Sequence, residues 1–196
     1  MGRRNDHSIE QLQELILKAA EKIIEQEGYQ KLSARKISQE IGYTVGTLYN
    51  VFKNLNEIIL KVNARTLINL HTKIKLNLTQ HHNSMPELAK CYIDFWKSNF
   101  QLANMLFNYS MPKGEEFPPW AQLEIDKMFL TVSSALLPTL KNNLPLAQKA
   151  TSVLWAGMHG ICTLCLSGKM SIISLENAYS LADSFVRGYL DGILDL

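Results

Sequence analysis

The 196-residue chain is poor in the groups that carry most enzyme chemistry, with three cysteines, six prolines and ten glycines. Cys91, Cys162 and Cys165 are an odd number, and the opening MGRRNDHS lacks the apolar core of an export signal. A disulfide framework is therefore not expected, and a reducing, cytoplasmic setting is. Asp6 also stands where a myristoylation motif needs Ser or Thr. No Gly-rich phosphate loop, nucleophile elbow or paired-carboxylate constellation can be placed, so the chain does not read as an enzyme and no cofactor is expected. Only Ala150 to Gly168 is long and free of formal charge, and it contains Thr151, Ser152, His159 and glycines. It reads as a buried helix, and no membrane partner is expected. Strand alternation and internal repeats are missing as well.

What is present is a folded, globular composition, 46% hydrophobic and 19% charged. The net charge of +2 is too small to argue for a nucleic-acid partner, but its distribution is uneven. Asp6 to Glu27 holds mostly acids, whereas Gly28 to Lys53 sets Lys31, Arg35, Lys36 and Lys53 against Glu40 alone. This basic island coincides with the most organised stretch of the chain.

That stretch, Ser33 to Phe52, reads as a helix-turn-helix. Ser33 is an oxygen-bearing cap, Ile37 and Ile41 lie one turn apart, Gly42 suits a tight interhelical turn, and Thr44 caps a second helix, Val45 to Val51. Val45 and Leu48 point inward in this reading, leaving Thr47, Tyr49 and Asn50 outward. Uncharged hydroxyls and amides of this kind suit a DNA major groove. Arg3 and Arg4, ahead of the first cap, form a candidate minor-groove arm.

The remaining periodicity is helical throughout. Ser8 and Gln11 make a capping-box pattern before Ile9, Leu12, Ile16, Ala19, Ala20, Ile23 and Ile24, and Gly28 ends that helix. Asn54 and Glu57 open a long helix carrying Ile58, Ile59, Val62, Leu67, Leu70 and Ile74. One helix is expected from Met85 to Tyr109, a loop over Met111 to Trp120, and helices over 121–140, 146–166 and 175–194. His71, His81 and His82 lie among polar residues and read as solvated. The fold class is all-α: a three-helix head with a helix-turn-helix, residues 1–52, on a larger helical-bundle body, residues 53–196. A head of roughly fifty residues buries too little apolar surface to stand alone and should lean on the rest of the chain.

Through Ala19, Ala20, Gly28, Leu32, Ser33, Arg35, Ile37, Gly42, Thr44, Gly46, Thr47, Leu48, Tyr49 and Phe52 the chain resembles the tetracycline-repressor (TetR) family of transcriptional regulators. Trp155, His159 and Gly160 resemble a Trp-x-x-x-His-Gly pattern of one subgroup. The resemblance implies a homodimer, a DNA-binding head with a double-stranded DNA operator as partner, and a regulatory and dimerisation body holding a small-molecule effector. It places Ser33, Thr44, Thr47 and Tyr49 at phosphate-bonding positions, and Arg35, Val45, Gly46 and Asn50 where phosphate or base contacts are made. Val45, Val51 and Leu55 depart from the family pattern. Lys53 is the candidate to replace the phosphate contact that Leu55 cannot make, and Val45 and Val51 could read thymine methyl groups.

The aromatic and methionine set Trp96, Phe100, Met105, Phe107, Tyr109, Trp120 and Met128, with Trp155 and His159, is the expected lining of an apolar effector site. Val153, Gly157, Ile161, Leu164, Leu181, Phe185 and Tyr189 on the last two helices are the expected dimer interface. The function expected is a homodimeric repressor released from a palindromic operator by a small hydrophobic or aromatic effector. Two alternatives stand beside it. One is a helical interaction module that does not use its helix-turn-helix on DNA. The other is a metal or redox sensor built on His159, Cys162 and Cys165, although spacings of three spread these ligands over too wide an arc for one ion without help.

Overall fold

The stripe of apolar residues that opens the chain becomes helix α1, Ile9–Glu27, entered through the expected box: Ser8 Oγ accepts from Gln11 N and Gln11 Oε1 accepts from Ser8 N. The computed structural model describes residues 7–114, 116–166 and 174–194, and among them the ordered elements are helices. After α1 come α2 (Ala34–Ile41), α3 (Val45–Tyr49), α4 (Leu55–Gln80), α5 (Met85–Ser98) and α6 (Phe100–Asn108). The order ends with α7 (Pro119–Leu136), α8 (Leu144–Leu166) and α9 (Ala178–Leu194). The all-α class expected from periodicity is what the chain adopts.

Two compact units result: Met1–Leu67 with Asn99–Ala121, and Ile68–Ser98 with Gln122–Leu196. This partition differs from a linear cut after residue 52. The first unit has its core where α1 meets the helix-turn-helix, with Ile16, Ile24, Ile37, Leu48 and Ile58 fully buried. Burying each such side chain contributes about 1.5–3 kcal/mol. Leu102 and Met105, from α6, belong to the same core. A helix remote in sequence thus supplies apolar surface that three short helices lack.

The cause is a break at Asn99. The helix expected from Met85 to Tyr109 stops at Ser98, because Asn99 (φ −132°, ψ 33°) leaves helical geometry and its carbonyl caps a new helix by accepting from Ala103 N. Smaller departures have the same kind of cause. The helix ahead of Leu140 ends at Leu136, followed by turn residues Lys141 and Asn142 at positive φ, and the last helix is preceded by a 3-10 turn, Leu175–Asn177.

In the first unit, Arg65 of α4 reaches α1 through two carboxylates. Its Nη1 lies 2.8 Å from Glu14 Oε2 and its Nε 2.8 Å from Glu21 Oε1. The guanidinium holds the Glu14 carboxyl below the ordinary range, whereas burial raises that of Glu21. The acidic character of α1 is in this way partly spent on fastening α4.

In the second unit, α5 packs chiefly on α9 and α8 on α9. His71 departs from its solvated reading: it is 9% exposed and its Nε2 lies 2.7 Å from Thr131 Oγ1, joining α4 to α7. His81 and His82 are exposed, as expected. Burial first, then Lys75 and Lys127, lowers the His71 pKa from 6.5 against a smaller opposing pull from Glu124. The unfolded chain therefore binds this proton more readily, and stability falls as pH drops through 6.5 and below. Thermal denaturation between neutral and mildly acid pH should show this loss, and His71→Gln should flatten the histidine-dependent part of the slope.

A second expectation concerns the break at Asn99. Met105→Ala should destabilise the first unit by about 2–5 kcal/mol, the cost of a large-to-small core substitution. Amide hydrogen exchange should show faster opening in α1 and α2, far from the substituted residue in sequence.

Candidate functional site

The helix-turn-helix is built from caps outward. Ser33 sits in extended backbone, and its Oγ accepts from Lys36 N at 3.3 Å, which starts α2 and turns Ile37 into the core. Gly42 ends α2 in the left-handed region (φ 73°, ψ 26°), where a Cβ would be strained, and Tyr43 N then donates to Ser38 O at 3.0 Å. Thr44 Oγ1 accepts from Thr47 N at 3.1 Å and starts α3. Leu48 and Phe52 anchor the second helix in the core. What stays outside is decided by those anchors.

Tyr49 is 45% exposed, and Arg35, Thr44, Gly46, Asn50 and Lys53 are also exposed. Ser33, Val45 and Thr47 are half-buried. The Thr44 and Thr47 hydroxyls lie 2.9 Å apart, so a phosphate approaching either meets both. Val51 packs against the head core, so its side chain is at least partly used there. Leu55 packs there too, accounting for an apolar residue at the start of α4. Arg3 and Arg4 lie outside the described residues.

The basic island is partly neutralised by its surroundings. Lys36 pairs with Glu27, and Lys22 pairs with Glu40 at 2.5 Å. Lys31, Arg35 and Lys53 are exposed and form no ion pair among the described residues. The Lys53 amide donates to Glu57 Oε2 at 2.7 Å, and Asn54 Oδ1 accepts from Glu57 N at 2.9 Å. That cap fixes the backbone from which the Lys53 side chain projects.

The second unit contains a cavity of about 60 Å³. Its wall includes Met85 and Tyr92 of α5, Met128 and Phe129 of α7, and Trp155 and Met158 of α8. Tyr92 and Phe129 both pack on Trp155, with ring centroids 5.2 and 5.3 Å away. Met128 and Trp155 come from the residues expected to line an effector site. Trp96 and His159 belong to the same unit but pack on each other, centroids 5.4 Å apart, off the cavity wall. Phe100, Met105, Phe107, Tyr109 and Trp120 belong to the first unit. There Met105 is core, Tyr109 Oη donates to Asn56 Oδ1 at 2.7 Å, and Trp120 lies under Lys61 Nζ at 4.3 Å. The break at Asn99 separates the two groups. Sequence reasoning misses Phe129, although its place beside Met128 is an available signal.

His159 has its pKa lowered by burial, which also pushes the Cys162 thiol up to about 12 and raises Cys165. Both cysteines are thiols at neutral pH, not the thiolates that bind metals or react. Among the described residues no three His, Cys, Asp or Glu side chains cluster as a metal set.

On α8 and α9, Leu164 and Leu181 are exposed, while Val153, Gly157, Ile161, Phe185 and Tyr189 are half-buried. The Phe185 ring occupies the space a Cβ on Gly157 would need, so this pair packs within one chain. Phe185 also stacks on Tyr189, centroids 6.3 Å apart.

A capped helix-turn-helix with exposed cations, carried by a helical chain with an apolar cavity, is an arrangement suited to a DNA-binding regulator. Residues 16–62 match the model of the family described as bacterial regulatory proteins, tetR family. No curated protein matches the chain in sequence. Solved structures share the fold. A protein of unknown function from Rhodococcus sp. RHA1 has TM-score 0.75 at 18% identity, covering 95% of this chain and 98% of its own. A TetR-family transcriptional regulator from Streptomyces coelicolor has TM-score 0.65 at 14% identity, covering 91% and 97%. RolR, solved with resorcinol bound, has TM-score 0.59 at 13% identity, covering 89% and 94%. Among the described residues no helix is long and apolar enough to cross a membrane.

The exposed set makes a direct prediction. Tyr49→Ala and Arg35→Ala should each weaken DNA binding about tenfold in a gel shift, the scale of one or two lost contacts. Their melting temperatures should stay within about a degree of the unaltered chain, since surface substitutions of this kind change stability little.

Proposed function

We propose that the protein is a homodimeric transcriptional repressor that leaves a palindromic operator when a small apolar or aromatic effector binds the cavity of its second unit. The observation that carries the DNA half of this reading is the exposed group of Tyr49, Asn50, Arg35 and Lys53 around a capped helix-turn-helix. Ser33, Thr44, Val45, Gly46 and Thr47 complete the surface that would meet DNA, with phosphate contacts setting register and Val45 and Asn50 touching bases. Two copies related by a two-fold axis would read two half-sites, each helical turn of DNA being roughly 34–36 Å.

The effector half rests on the cavity and on α4. One end of α4 places Ile58, Ile59 and Val62 in the core of the first unit, and Ile74, further along it, stands on the cavity wall. A ligand that favours one position of this helix shifts the population of DNA-competent heads, provided it binds the incompetent arrangement more tightly. Met128 and Trp155 are the members of the expected aromatic and methionine lining that would touch it. The resorcinol of RolR shows that this fold accepts a small aromatic in at least one protein.

The second copy would cover the apolar side chains that α8 and α9 leave outside. Leu164 and Leu181, with Val153 and Ile161 on α8, are the candidate contacts. Gly157, Phe185 and Tyr189 would support that surface from within.

The test is a binding titration on DNA upstream of the gene as salt is varied. If the dimer neutralises about eight phosphates, log affinity falls with log salt at a slope near −7. A salt-insensitive complex, or a sedimenting monomer at micromolar concentration, overturns the reading. Leu181→Glu should convert the dimer to a monomer and abolish tight operator binding.

A further inference from the structure

The cavity beside Trp155 says more about its ligand than that it is small. Among the described residues its wall contains no Asp, Glu, Lys, Arg or His, and the polar groups on it belong to Tyr92, Thr151 and the indole of Trp155. Thr151 Oγ1 donates to Ala147 O at 2.9 Å, so its proton is already used along α8. The Tyr92 hydroxyl is buried, and no acceptor for its proton is found among the described residues. An ionised ligand would leave water for a site with no counter-charge, and that cost is far larger than burial of the rest of a small molecule returns.

Size adds a second constraint. The cavity measures about 60 Å³. An apolar cavity known to take benzene holds about 150 Å³. An aromatic ring therefore enters only if the wall moves. Met85, Met128 and Met158 stand on three different helices of that wall, and methionine, unbranched with three rotatable bonds, re-packs more readily than the branched side chains around it. The wall is adaptable where it must yield.

We propose, resting on the effector reading above, that the ligand is an uncharged, largely hydrocarbon or aryl molecule that enlarges this cavity by displacing methionines, and that weak acids and bases are taken only in their neutral forms. Selection against charge comes from the missing counter-ions. Selection by shape is loose.

The experiment uses the full-length protein and three probes of similar size: ethylbenzene, benzoate and benzylammonium. Titration at neutral pH should show ethylbenzene raising the melting temperature, with benzoate and benzylammonium binding at least a hundredfold more weakly. Ala89→Leu, which adds side-chain volume to the wall, should reduce ethylbenzene binding at least tenfold while the gel shift on operator DNA shows that the head is intact. Met128→Val, which replaces a flexible side chain by a stiff one, should weaken ethylbenzene severalfold. Either ion binding as tightly as ethylbenzene overturns the proposal, as does absence of ethylbenzene binding at its solubility limit or an unaltered affinity in Ala89→Leu. Ethylbenzene that binds the protein but leaves DNA affinity unchanged counts against the effector role of the cavity, not against its selection for neutral ligands.

Discussion

The rest of the structure depends on how the apolar stripe of α1 is covered. Three short helices cannot bury Ile16, Ala20, Ile23 and Ile24 and still leave one face open to DNA. The solution is to recruit Ile58, Ile59 and Val62 from α4 and Leu102 and Met105 from α6. The core then closes from behind, and the helix-turn-helix keeps its outer surface. Arg65, bonded to Glu14 and Glu21, reinforces the α1–α4 contact at its rim. These pairs are partly exposed, so their share of the stability is modest beside the apolar core.

Helix α4 contributes side chains to both units. Its first turns are part of a head core, and a later turn reaches the cavity wall. His71, buried on the same helix and bonded to Thr131, places a titratable group in that element.

Much of the head is legible in the sequence because its signals are local. Ser33, Gly42 and Thr44 each act on the backbone within four residues, and each does what its chemistry predicts. The body is less legible. Trp96, Met105 and Trp155 look alike as large apolar residues at helical spacing, and nothing local says that one packs against a histidine, another fills the head and the third walls a cavity. His71 among polar neighbours reads as solvated, since the Thr131 hydroxyl that meets it lies sixty residues away.

The division between the two levels of information is therefore physical. Periodicity, caps and turn residues determine an all-helical chain with a helix-turn-helix, because those preferences are set by interactions within one turn of backbone. The choice of which apolar faces meet depends on contacts between residues far apart in sequence. The tertiary structure alone assigned α6 to the head core, packed Val51 against that core, seated Phe185 on Gly157, and formed a cavity whose wall, among the described residues, holds no carboxylate, ammonium, guanidinium or imidazole.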